Sequence, residues 1–497
     1  MRLIPKKRRG LALAGAMALA MVGSLVAARL ALTTLALSSL LQKAGASEVS
    51  FNVAQASLWH VVVENLKFRI QTQAFAARRV SVNRLHWWTP SLGAVVVEQA
   101  RVPLRVDALV SPPPGEAGKP KGHAVVAPLV LPMEAITVDG QLVLQASGAA
   151  DQRLTVKFEA HWVEKNTWTT ALHAAGAGLV LEATGKFDTA MRRLDFVVPE
   201  FSLDLTDGQA FAQKIAPLPD GPWELAGKIS GSAAGRMEGR DLTGSAKVRL
   251  RDGRVVNASK SLAMEGIEAD FEMTGFGPFA TKPGTLRTRE VKAGRLVLRD
   301  LDCRLAFASA DKVDVTKATF RTLGGTVSAE PFTYVINPLA LGVVVLVEDI
   351  SVAEVLALTQ DLPAKATGRL DGRFPIHVDE SGVQFGTGWL ELKPGTYADV
   401  QFDASGLLTR GVSPNNPSYA ILKKVESGLL KLQLSELRLD IRPPNAPPGR
   451  SAQLHMAGQP VDKEVRAPVT LDLNVNGPLE KLLNLGMDSR LDFGSKR

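Results

Sequence analysis

Seven histidines are spread along the chain: His60, His86, His123, His161, His173, His377 and His455. No two stand four residues apart, the spacing that would put two metal ligands on one helix face, and no His-Glu-x-x-His occurs. His161 and His377 fall in alternating segments opposite apolar residues, which makes them residues of a wet sheet face. Cys303 is the single cysteine, so it closes no internal disulfide and pairs with no second thiol for zinc. A Gly-x-Ser-x-Gly elbow and a phosphate-cradling Gly-x-x-x-x-Gly-Lys-[Ser/Thr] loop are both absent. Asp300 and Asp302 flank Leu301 on an alternating segment, which describes a polar face and not an acid–base pair; Asp379 and Glu380 are neighbours in a similar setting. The chain is therefore read as no enzyme, with no cofactor and no metal. The residues left to carry a function are apolar, and what apolar residues do together is hold something greasy.

Their spacing is two. Leu154, Val156, Phe158, Ala160 and Trp162 share one face of a segment whose other face carries Lys157 and Glu159. Ala246, Val248 and Leu250 alternate with Lys247, Arg249 and Arg251; Leu301, Cys303, Leu305 and Phe307 alternate with Asp302 and Arg304. Leu390 and Leu392, then Leu471, Leu473 and Val475, repeat the theme. In the segment 429–441, Leu430, Leu432 and Leu434 set one phase and Leu437, Leu439 and Ile441 another, so a bulge is expected near Ser435. This is the pattern of strands with one greasy and one wet face. Glycine (43) and proline (29) supply turns for many short strands.

Helices are few. Residues 351–362 open with Ser351 and Glu354 in capping-box spacing and stop before Pro363. Residues 418–428 read as a helix ending at Gly428, and 478–486 as one with Pro478 in its first turn. Pro/Gly-rich loops are expected at 111–128 and 442–450.

Residues 11–28 contain no charge and follow Lys6, Lys7, Arg8 and Arg9. As a helix they would span about 27 Å, close to the hydrocarbon core of a bilayer. The basic tip then stays cytoplasmic and the body lies across the membrane. A cleaved signal peptide is the competing reading, although its apolar region would be shorter. Small residues every four positions (Ala12, Ala16, Ala20, Ser24, Ala28) would let this helix pack closely on another. The net charge of +8 owes much to the first nine residues, and no basic stripe with interleaved aromatics argues for nucleic acid. Tandem Trp87–Trp88 suits either a membrane interface or a core.

So many amphipathic strands have two outcomes. Two sheets can close their greasy faces on each other. Alternatively, one sheet can coil and leave its greasy face as the lining of a groove. Such an exposed strip needs an apolar ligand, and acyl chains fit. Alternation alone leaves both open.

Particular segments carry a resemblance. ATFRTLGGTVSAEPF (318–332), LGVVVLVEDI (341–350) and ATGRLDGRFPIHVDESGVQFGTGWLELKPG (366–395), with the closing VTLDLNVNGPLEKLLNL, resemble the YdbH-like family of AsmA-like envelope proteins. The likeness is clearest over about 290–487 and is only stylistic over about 110–285. The opening EVSFNVAQASLWHVVVENLKFRI resembles AsmA-like proteins too. The resemblance implies a mainly β fold: an elongated, coiled antiparallel β-sheet groove with a hydrophobic interior, few short helices and one N-terminal transmembrane helix. It implies phospholipid as cargo, inner-membrane anchorage with a periplasmic body, and a small outer-membrane lipoprotein at the C-terminal end. The expected organisation is a basic tip and anchor (1–30), a connecting amphipathic helix (31–47), an N-terminal β lobe (48–110), a loop (111–128), a central groove (129–290) and a C-terminal groove domain (291–497). The residues expected to line the groove are Val248, Leu250, Leu301, Leu305, Phe307, Leu390, Leu392, Leu471, Leu473 and Val475. The alternative is an anchored periplasmic scaffold that carries no lipid.

Overall fold

A computed structural model of the chain describes residues 33–476, with breaks chiefly at 43–45, 71–72, 87–90, 106–132, 146–150, 210–221, 358–363, 403–411 apart from Thr409, 444–449 and 462–467. The segment 11–28, the tandem tryptophans, the loop 111–128 and the helix expected at 478–486 lie outside the described residues. No helix among the described residues is long and apolar enough to cross a membrane. The fold is mainly β, with few short helices. It divides into two units, 1–217 with 231–244, and 218–230 with 245–497.

In the first unit, β1 (Ala46–Ala56), β2 (His60–Ile70), β3 (Gln73–Asn83) and β5 (Ser91–Arg105) pair antiparallel in that order, and the two-residue β4 (Leu85–His86) folds back on β5. A helical stretch within 33–42 lays Leu37 and Leu41, one turn apart, on Val61, Val63 and Leu66. β5 then pairs parallel with β6 (Met133–Gln145). Antiparallel pairing resumes through β7 (Gln152–Glu164), β8 (Thr167–Gly176), β9 (Leu179–Asp188) and β10 (Arg193–Asp204). Apolar residues meet across each step, as in Val138–Phe158–Leu172 and Trp162–Trp168–Phe187. Strands β11 (Glu224–Glu238) and β12 (Asp241–Asn257) contribute residues to both units.

In the second unit β12 pairs with β13 (Leu262–Phe276), then β15 (Gly284–Ala293), β16 (Leu296–Ser309) and β17 (Lys312–Thr322), every pair antiparallel. The short β14 (Phe279–Thr281) folds back on β13. β17 is opposed by two short strands, β18 (Gly325–Ala329) and β19 (Phe332–Val335), both of which also pair with β20 (Ala340–Ser351). After α1 (Val352–Ala357) and β21 (Ala364–Ala366) come β22 (Arg369–Asp379), β23 (Gly382–Phe385), β24 (Gly388–Leu392) and β25 (Ala398–Phe402). Helix α2 (Tyr419–Leu430) runs straight into β26 (Lys431–Ile441), followed by β27 (Arg450–Pro460) and β28 (Val469–Asn476).

Two local expectations can be compared directly. The register slips between Leu434 and Glu436, which places a bulge at Ser435 where the phase change put it. Helix α2 does not stop at Gly428; that glycine is buried inside it, and the helix ends two residues later, where Lys431 turns extended.

Candidate functional site: the apolar face of the second unit

The wet face of the second unit is a ladder of opposite charges. Asp270 meets Arg249 and Arg251 at 3.1 and 2.8 Å. Asp302 lies between Arg287 and Lys317, at 3.3 and 2.6 Å. Lys317 first, and then Arg287, hold the Asp302 carboxyl below the usual carboxylate range. Further along, Arg373 reaches Glu330, Lys393 reaches Asp349 and Arg438 reaches Glu391. Each exposed pair contributes little energy. Their joint effect is on register, because a one-residue slip would carry these charges to the greasy face.

Residues directly opposite in an antiparallel pair share a face, so that greasy face can be followed strand by strand. Val248 opposes Phe271, and Leu250 leads through Ala269, Leu286 and Cys303 to Ala318. Beside that row, Gly284, Leu305 and Val315 align, and Phe307 opposes Val313. Leu301 opposes Thr288. A second row runs in register across seven strands: Val327, Val347, Gly372, Leu390, Leu439, Leu454 and Leu473. At adjacent-strand spacing it is about 29 Å long. Gly372 is required in that row, since a Cβ there would run into the Trp389 carbonyl oxygen as well as the Leu390 side chain.

Bulges keep charge off this face along strands too long to alternate regularly. Asp252, Asp300 and Asp349 have φ of 50°, 53° and 59°, within β12, β16 and β20. Asp is among the residues that tolerate this left-handed backbone. In β16 the apolar phase changes at Asp300, from Leu296 and Leu298 to Leu301, Cys303, Leu305 and Phe307.

Cover differs along the face. No residue of β16 is fully buried, and no buried core cluster includes a residue of β12–β16. Val248, Leu250, Leu301, Leu305 and Phe307 are all half-buried. Phe271, Phe279 and Phe307 meet edge-to-face, with centroids 5.9 and 5.6 Å apart. Burial pushes the Cys303 thiol up from its ordinary pKa. Thr288 is a polar intrusion, 2% exposed with its hydroxyl unpaired.

From β18 onward the same face is filled. Val327, Val347, Ile350, Val352, Leu370, Val400, Leu432, Leu434 and Met456 form one buried core, with Val355 and Leu356 of α1 packed on it. Leu392, expected to line the groove, belongs to that core, with protein side chains packed over it. Leu390 and Leu471 pack against the same core. Leu473 is 48% exposed. Val475 pairs with Ala452 in β28, and its side chain lies outside the described set. Among the described residues no group of His, Cys, Asp and Glu is arranged to hold a metal.

A family model, YdbH-like, described as intermembrane phospholipid transport protein YdbH, matches residues 127–406, more than half of the chain. The chain belongs to the YdbH-like family. The match takes in the middle of the chain, where the sequence motifs gave only a likeness in style, and ends before the closing VTLDLNVNGPLEKLLNL. No curated protein and no solved structure matches. Membership brings the two halves of the description together: a sheet with one greasy face, in a family of phospholipid transport proteins.

Sequence reading missed the left-handed bulges, the parallel β5–β6 pair and the filled core. Only the first left a signal, the extra polar residue in Leu298-Arg299-Asp300-Leu301.

Proposed function

We propose that this chain carries phospholipid between the two membranes of a cell envelope, with acyl chains on the apolar face of its sheet and headgroups in water. The carrying observation is the apolar face over β12–β16, where Val248, Leu250, Leu301, Leu305 and Phe307 are half-buried and belong to no buried core cluster among the described residues. A closed sandwich would bury every second residue there. The proposed lining is Val248, Leu250, Leu301, Leu305 and Phe307, continued by Leu390, Leu471, Leu473 and Val475; Leu392 is left out. Each methylene taken from water is worth about 0.8 kcal/mol. An even aliphatic lining therefore opposes escape while keeping steps along the face small.

On this reading residues 11–28 anchor the chain in the inner membrane, with the N-terminus cytoplasmic and the body periplasmic. The outer edge of β28 has no strand partner among the described residues. It would receive a strand from a small outer-membrane lipoprotein by β-augmentation. An anchored scaffold without cargo is the second reading, and the filled core between β18 and β27 is what favours it.

Lipid extraction from purified protein tests the proposal. Wild type should carry phospholipid, and Leu305→Asp should carry much less while keeping its far-UV circular dichroism. Protein free of lipid, or a Leu305→Asp variant with an unchanged load, would contradict it.

A further inference from the structure

The ion-pair ladder of the second unit has a gap. Where β21, β25, β26 and β27 come together, the wet face forms a concavity of about 550 Å³ lined by Lys365, Thr367, Asp399, Gln401, Lys431, Gln433 and Gln459, among others. Lys365 opposes Gln401 across one strand pair, and Gln401 opposes Lys431 across the next. Among the described residues no carboxylate forms an ion pair with either lysine, unlike Arg249, Arg287, Lys317, Arg373, Lys393 and Arg438 elsewhere on the ladder. Asp399 is instead hydrogen-bonded by Gln433, at 3.4 Å. The concavity thus offers two lysines without an ion-pair partner, among amides and the single carboxylate of Asp399.

The second observation is independent of charge. Lys431 is also the residue at which α2 ends. On α2, Ile421 is 67% and Val425 45% exposed, one helical turn apart. Val461, 53% exposed, donates its backbone N–H to the Lys431 carbonyl. Aliphatic side chains offered to water next to lysines are the composition of an interfacial helix, whose apolar residues enter the acyl boundary while its cations meet anionic headgroups.

We propose that this corner, α2 with the Lys365–Lys431 concavity, docks the C-terminal body onto an anionic phospholipid surface. Ile421 and Val425 enter the leaflet, and Lys365 and Lys431 meet its phosphates. The charge decides the occupant: an apolar protein groove would have no use for two lysines held across a glutamine. This docking is separate from passage of lipid along the opposite face, and it stands or falls without it.

The test is vesicle capture by the full chain held in phosphatidylcholine nanodiscs, so that its apolar stretch 11–28 is already occupied. Fluorescent vesicles of phosphatidylcholine, with or without phosphatidylglycerol, are offered. Wild type should capture the anionic vesicles and not the neutral ones, and added salt should weaken capture because the contact is solvent-exposed. Lys365→Gln with Lys431→Gln should lower capture about tenfold or more, as should Ile421→Ser with Val425→Ser, with melting temperatures unchanged because all four positions lie at the surface. Capture that ignores vesicle charge, or that both double variants retain, would overturn the proposal. Phospholipid co-purifying with the same variants reports on transport separately: a normal lipid load with lost capture removes docking from neither the lining nor the cargo reading, and isolates it at this corner.

Discussion

Strands β12–β16 and strands β18–β27 are written in the same alternation, yet the first stretch contributes no residue to a buried core cluster and the second builds one. Leu305 and Leu432 illustrate the contrast. Both are leucines on the greasy face of a long strand; the first is half-buried and the second is 1% exposed. The fill comes from elements that the alternation does not encode. Helix α1 lays Val355 and Leu356 on the core, and the sheet divides at β26, so that β24 pairs with one half of that strand and β25 with the other. Period two thus determines which face is greasy, while insertions between strands determine whether the chain satisfies that face itself or leaves it for a ligand.

The comparison breaks most readily through stability. Leu432→Ala removes a close-packed side chain and should cost about 3 kcal/mol in chemical denaturation of the second unit. Leu305→Ala should cost less, about 1–2 kcal/mol in protein stripped of lipid, because part of that surface already meets water. Equal losses at the two sites would erase the distinction between open and filled stretches.

A smaller effect is expected from Thr288, buried beside the open stretch with no partner for its hydroxyl. Thr288→Val keeps the shape and removes an unsatisfied group, so stability should rise by about 1 kcal/mol, read as a shift in denaturation midpoint with unchanged slope. A loss of stability would mean that the hydroxyl has a partner after all.

The mildest effect concerns pH at the last described strand. His455 of β27 sits 2.8 Å from Asp472 of β28 and 3.5 Å from Glu436 of β26, and these carboxylates, Asp472 foremost, hold its pKa above the ordinary imidazole range. A raised pKa means stabilisation that is complete below the unfolded value and disappears as pH climbs through the folded one. Amide exchange in β28, corrected for intrinsic rates, should therefore quicken from mildly acidic to mildly basic pH. Asp472→Asn should flatten that dependence. At the other extreme Asp302, whose pKa is lowered, contributes stability that is lost as pH falls below the carboxylate range.

Much of the fold was legible from side-chain order. Val248 and Leu250 against Lys247 and Arg249, or Leu301 through Phe307 against Asp302 and Arg304, state which face is greasy, and Leu434-Ser435-Glu436-Leu437 states where a strand must bulge. The cover of each face was not legible, because it depends on contacts between distant residues: nothing local to Leu392 distinguishes it from Leu305, yet Leu370, Ala398 and Val400 join it in the core. The end of α2 was misplaced for a related reason. Gly428 is ordinarily a stop, but here it is buried inside the helix, and packing overrides its propensity.

A photo-crosslinking amino acid placed at Leu305 and, separately, at Leu432 tests the open stretch most directly, in cells making the full chain. Phospholipid adducts at position 305 and only internal protein adducts at position 432 are the result expected of a cargo-bearing face beside a filled one. Protein adducts alone at position 305 would show that another polypeptide covers the face, and transport along it would be refuted.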